Sequence, residues 1–145
     1  MMYQLLLFLH VAAFAVWMGI VVASFMLLKT LQPKLTDFNS QEVAEFAKVL
    51  KGYIGKEIKI VDVMFLTVII TGILLSHFYI GWNTWTIMKS VLAVFQVVGT
   101  IGYVFVAVKD IEYPCSETQY KNWYRLIAIS LSFFTAMLLL VFFGR

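Results

Sequence analysis

Charge, cysteine and histidine are scarce in this sequence, and each shortage closes off a class of protein. Only 13% of the 145 residues are charged and they gather in a few segments, so no basic groove for nucleic acid exists. The formal charge of +3 bears instead on membrane orientation and anionic lipid headgroups. The single cysteine, Cys115, has no partner for a disulfide or a thiolate metal site within the chain and reads as a loop cysteine of no special role. There is no glycine-rich phosphate loop, no paired-carboxylate centre and no nucleophile beside a base. The amino terminus lacks the basic n-region and small-residue cleavage site of a signal peptide, so its long apolar run reads as a retained helix.

What is present is apolar surface. At 62% hydrophobic residues, with a mean hydropathy of +0.90, the composition is that of an integral membrane protein of one domain, residues 1–145. Four apolar segments of spanning length emerge at 3–28, 58–80, 85–108 and 123–143. Short connections at Gly81 to Thr84 and Lys109 to Asn122 force neighbours to run antiparallel. The expected fold is therefore all-α, an up-and-down four-helix bundle. The first connection is longer. Ser40 there reads as a helix N-cap, and Val43, Phe46, Leu50, Tyr53 and Ile54 recur at helical spacing, so 40–57 is an amphipathic helical link. It either lies on the membrane surface or extends the second span into solvent.

Lys29, Lys34, Lys48, Lys51, Lys56 and Lys59 flank the first connection and Lys109, Lys121 and Arg125 the third, which leaves Lys89 and Arg145 for the other side. The positive-inside rule then places both termini on the non-cytoplasmic face of a bacterial-type inner membrane, with Trp82, Trp85, Trp123 and Tyr124 as interfacial anchors.

Two histidines stand out in such a background. His10 lies about 10 Å into the first span, at a depth that Lys89, four residues beyond Trp85, also reaches from the same face. An ionisable residue inside a bilayer tends to face the protein interior and to mark a site. Phe14, Trp17, Val21 and Ser24 share the His10 face, while Lys89, Gln96, Thr100 and Tyr103 form one polar stripe on the third span. Imidazole, aromatic walls and a cation make the elements of a tetrapyrrole pocket. His10 would ligate iron, and Lys89 would meet a propionate or, as a neutral amine, serve as second ligand. Equally simple accounts make His10 an interhelical hydrogen-bonding residue and Lys89 a snorkelling one. His77, three residues from the end of its span, reads as interfacial, with ligation the alternative. Asp62 reads as pairing with Lys59 or Arg125 near the lysine-rich interface. Copper is the weaker physical reading: Met1 and Met2 can approach His10, but the other methionines do not converge.

Leu9 and His10, Trp17 seven residues later, Gly19, a basic amphipathic link, a second span closing near Gly72 and Leu75, and Trp85 with Lys89 opening the third span resemble the HemJ-type protoporphyrinogen oxidase family and the related CopD-like membrane proteins. The HemJ resemblance implies haem b held near His10 and Lys89, and oxidation of protoporphyrinogen IX with electrons passing to quinone. The sequence departs from the HemJ pattern after Trp17, where it reads Met18, Gly19, Ile20, Val21 without Pro-Arg and a following histidine, and at Tyr103, which has no histidine nearby. Trp17, Met18 and Gly19 are nearer the CopD-like branch, for which copper uptake is proposed.

The expectations are therefore a haem b site between the first three spans, with Lys89 catalytic and His10, Phe14, Trp17, His77, Lys89 and Gln96 lining it. His10 and Lys89 would be the metal ligands. Expected partners are lipid, a porphyrin or quinone, and a homo-oligomer or larger membrane complex. Copper handling and a cofactor-free subunit of an assembly are the competing classes.

Overall fold

The computed structural model describes residues 1–143; Arg145, counted above among the basic residues, lies outside them. Four helices follow in order: α1 (Met2–Leu35), α2 (Val43–Leu75), α3 (Thr84–Tyr103) and α4 (Glu117–Phe143). α2 closes in a π-helical turn at Ser76–Ile80 and α3 in another at Val104–Val108. All four are long and apolar enough to cross a membrane, which makes this a multi-pass membrane protein. Hydrocarbon offers no partner to a backbone N–H, so a run such as Leu5–Met18 has helix as its only open solution.

The sequence boundaries were short at the lysine-rich end. α1 runs seven residues past Leu28, about 10 Å further, and stops within a turn of Pro33, which lacks a backbone N–H. The amphipathic link is no surface helix. It is the first four turns of α2, and its apolar side lies on the extension of α1. Ser40 is not the cap: α2 begins at Val43 behind Glu42, and the Ser40 hydroxyl accepts from the Glu42 N–H in the preceding turn, 3.3 Å away. α4 likewise starts six residues before Trp123. Water competes for backbone groups at this end, and packing answers it. Leu28, Leu31 and Leu35 of α1 bury against Val43 and Leu50 of α2 and against Cys115, Tyr120 and Ile127. The Tyr120 hydroxyl donates to Leu28 O, Tyr124 donates to Gln32 Oε1 at 2.6 Å, and the Cys115 N–H donates to Leu35 O at 3.1 Å.

α1 is the hub. It packs along α2 on one side and against α4 on another, and α4 carries α3, whereas α3 barely touches α1 or α2. The bundle is thus open between α2 and α3. Contacts between Tyr3 and Tyr79, Trp17 and Phe65, and Ser24 and Glu57 show α1 and α2 antiparallel in one continuous register. At the lysine-rich end the α3–α4 pair is fixed by Tyr103 donating to Asn122 Oδ1 at 3.4 Å and by Asn122 Nδ2 donating to Ala107 O at 3.0 Å. Outward faces carry Phe8, Ile70, Phe95, Val98 and Phe105, all exposed, a surface that suits acyl chains.

Candidate functional site

The α1–α2 register sets His10 beside Val68, Thr71 and Gly72. Its Nδ1 lies 3.0 Å from the carbonyl oxygen of Val68 and 3.0 Å from Oγ1 of Thr71. A carbonyl oxygen only accepts, so Nδ1 carries the hydrogen and donates it. Thr71 gives its own hydroxyl hydrogen to Thr67 O at 2.6 Å, which leaves its oxygen free to accept from the ring. In a neutral imidazole the other nitrogen, Nε2, is then an unprotonated lone pair. Nε2 makes no hydrogen bond among the described residues. Gly72 permits the approach: a Cβ there would stand 3.2 Å from Cε1 and 3.6 Å from Nδ1 of His10.

Two turns further along α1, Trp17 is buried with edge-on contacts to Phe65 of α2 (5.6 Å between ring centres) and Phe134 of α4 (5.0 Å). Phe14, half-buried, meets the same Phe134 ring at 5.2 Å. Together these aromatics close the three-helix core directly below His10.

Lys89 is half-buried on α3, a helix held in place by α4 rather than by α1. The edge between α2 and α3 is therefore open, with His10 on the α1–α2 side. Gln96 is 1% exposed on the packed face of α3, and its Oε1 has no partner among the described residues. Thr100 returns its hydroxyl to Gln96 O of its own helix.

His77 does not join His10. The pairing of Tyr3 with Tyr79 puts it nearly two turns nearer the chain-terminal end of the pair, where it is exposed and edge-on to Phe78. Asp62 pairs with neither Lys59 nor Arg125. It is exposed on α2, and among the described residues the one ion pair is Lys34 with Glu42 at 3.0 Å. No three His, Cys, Asp or Glu side chains converge as a metal site among those residues.

Sequence reasoning passed over Val68, Thr71, Phe65 and Phe134. The apolar ones carried no mark that distinguishes a site wall from ordinary membrane core. Thr71 was visible as a hydroxyl in an apolar span, but its partner depended on a register only the packed pair supplies. Comparison with protein-family models, with curated proteins and with solved structures finds no match for this chain.

Proposed function

We propose that this chain is a haem b-binding membrane redox protein, similar in activity to HemJ-type protoporphyrinogen IX oxidases, in which His10 would hold the haem iron. One observation supports this reading above the others. The donation from Nδ1 to Val68 O fixes the tautomer that leaves Nε2 bare, and metal-bound histidines characteristically hold their second ring N–H on a carbonyl or carboxylate in this way. The residues present thus fit the group on the side of the ring that matters.

Bound there, haem would supply one-electron chemistry between a porphyrinogen substrate and a quinone acceptor. The chain's own residues do the rest. Val68 and Thr71 hold the imidazole plane, and Gly72 keeps it tight against α2. Trp17 with Phe65 and Phe134 bars water from passing down the core. Lys89 offers a cation to a carboxylate-bearing ring edge, or its amine as a second ligand. The open edge between α2 and α3 gives a flat, apolar molecule a route from the bilayer. In this reading the lysine-rich end faces the cytoplasm of a bacterial-type cell and both termini lie outside.

The test is the visible spectrum of protein purified in mild detergent. A Soret band and a reducible α band are expected, lost in His10→Ala and shifted in Lys89→Met. Absence of both bands after reconstitution with haem overturns the reading. A colourless protein carrying stoichiometric copper would put the CopD-like alternative in its place.

A further inference from the structure

A second polar cluster lies at the opposite end of the α1–α2 pair, where the haem reading has no use for it. The Ser24 hydroxyl on α1 is 2.6 Å from Oε1 of Glu57 and 3.2 Å from the Tyr53 hydroxyl, both on α2. These groups line a cavity of about 90 Å³, bounded across from them by Trp123 and Ser130 of α4. That is room for about three water-sized groups.

The hydrogen count is informative. The one Ser24 hydrogen has two acceptors in reach, Ile20 O at 2.9 Å and Glu57 Oε1 at 2.6 Å; given to the nearer one, with Tyr53 donating to Ser24 Oγ, it makes a relay that suits an ionised carboxylate. Every hydroxyl in it is used, yet Oε2 of Glu57 has no partner among the described residues. Neither has the Ser130 hydroxyl, on a side chain only 8% exposed that borders the same cavity. No countercharge is at hand. Of polar side chains the cavity receives Ser24 from α1, Tyr53 and Glu57 from α2, and Ser130 and the Trp123 indole from α4; the rest of its wall is apolar, and no lysine or arginine lines it. A half-buried carboxylate with one hydrogen bond and no countercharge is costly.

We infer that this cavity is a binding site for one small monovalent cation, an alkali ion or ammonium, held by Glu57 with the hydroxyls of Ser24, Tyr53 and Ser130. The donor set is all oxygen and carries one negative charge. That chemistry matches a hard cation of single charge and not a soft transition metal. The remaining volume accommodates water completing the coordination shell.

Isothermal titration of the full chain in mild detergent tests this. Sodium, potassium and ammonium chloride are each titrated at ionic strength held constant with N-methyl-D-glucamine chloride. Saturable binding of one cation per chain is expected, weakened by at least about tenfold in Glu57→Gln, since one charged contact is worth that much, and weakened measurably in Ser130→Ala. The three salts distinguish alkali ion from ammonium. No saturable heat with any of them overturns the inference, as does equal binding in Glu57→Gln. Preference for magnesium or calcium, or uptake of a proton alone with no dependence on salt, also overturns it. Should Glu57→Gln not fold, Ser130→Ala and Tyr53→Phe decide the matter: unchanged binding in both refutes the site.

Discussion

Replacing Gly72 with alanine probes the one place where α1 and α2 meet through a ring and a bare backbone. The added methyl would stand 3.2 Å from Cε1 of His10, closer than ordinary van der Waals contact by a few tenths of an ångström. The ring cannot simply retreat, because Nδ1 is tied to Val68 O and Thr71 Oγ1 at 3.0 Å each. Overpacking of this kind costs about 1–3 kcal/mol. Against it stands the helix preference for alanine over glycine, about 1 kcal/mol at a position with helical backbone. Gly72→Ala should therefore range from neutral to about 2 kcal/mol destabilising in the parent. In a His10→Ala background nothing opposes the methyl, and the same substitution should stabilise by up to about 1 kcal/mol. The coupling between the two positions is then about 1–3 kcal/mol, within reach of a double-mutant cycle. Unfolding of the four proteins in detergent, followed by circular dichroism, measures it. If Gly72→Ala has the same effect with and without the imidazole, the close approach is wrong, and the argument that Val68 O selects the His10 tautomer fails with it.

Trp17→Ala removes a ring seated between Phe65 and Phe134 and should cost about 3–5 kcal/mol of stability, seen as a large fall in melting temperature; a fall no greater than that of an outward Phe95→Ala would contradict the assigned core. Tyr120→Phe deletes a buried donor to Leu28 O, which keeps its helical partner, and should destabilise by about 0.5–1.5 kcal/mol, the net worth of one hydrogen bond; denaturation by a graded detergent or urea series checks this. Cys115, 1% exposed in the turn before α4, has its thiol pushed above the ordinary range by burial. Below that raised value it stays protonated and unreactive, so alkylation of the folded chain should be much slower than of the denatured chain at pH 8 and should rise only at higher pH. Equal rates in the two states would place Cys115 at the surface.

The helices were legible because lipid leaves the backbone no alternative, and a run of twenty apolar residues says so directly. Their ends were not. Leu28 to Leu35 reads as a polar tail interrupted by Lys29, Gln32, Pro33 and Lys34, and only the α2 extension and Tyr120 show why Leu31 and Leu35 stay helical and buried. The candidate site was half legible. His10 declared itself as an ionisable group in hydrocarbon, and Trp17 followed on its face. Thr71, Val68 and Gly72 depended on the α1–α2 register, which a difference of one residue would have rotated by about 100°. His77 reads from its place near the end of a span as interfacial, and it is exposed there, nearer the chain-terminal end than His10. The polar stripe on α3 is buried at Gln96, on a helix that packs against α4, and composition alone gives no order of helices around a bundle.

The two polar clusters share one helix pair yet are isolated from each other, and the isolation follows from the packing between them. His10 and Ser24 are fourteen residues apart on α1, about 21 Å along the axis. The interval is filled by Ala13, Trp17, Val68 and Phe134, all buried and all without a side-chain hydrogen-bonding group except the indole N–H. A file of water needs polar partners at each step, and these side chains supply one indole N–H at most. The pair α1–α2 therefore behaves as a sealed core with a polar group at each end: the His10 imidazole toward the chain termini and the Glu57 carboxyl toward the lysine-rich loops. Charge arriving at one end is felt at the other only through the field, weakened over about 21 Å and by the surrounding lysines. Any exchange of protons or ions with the two compartments must then occur separately at the two ends.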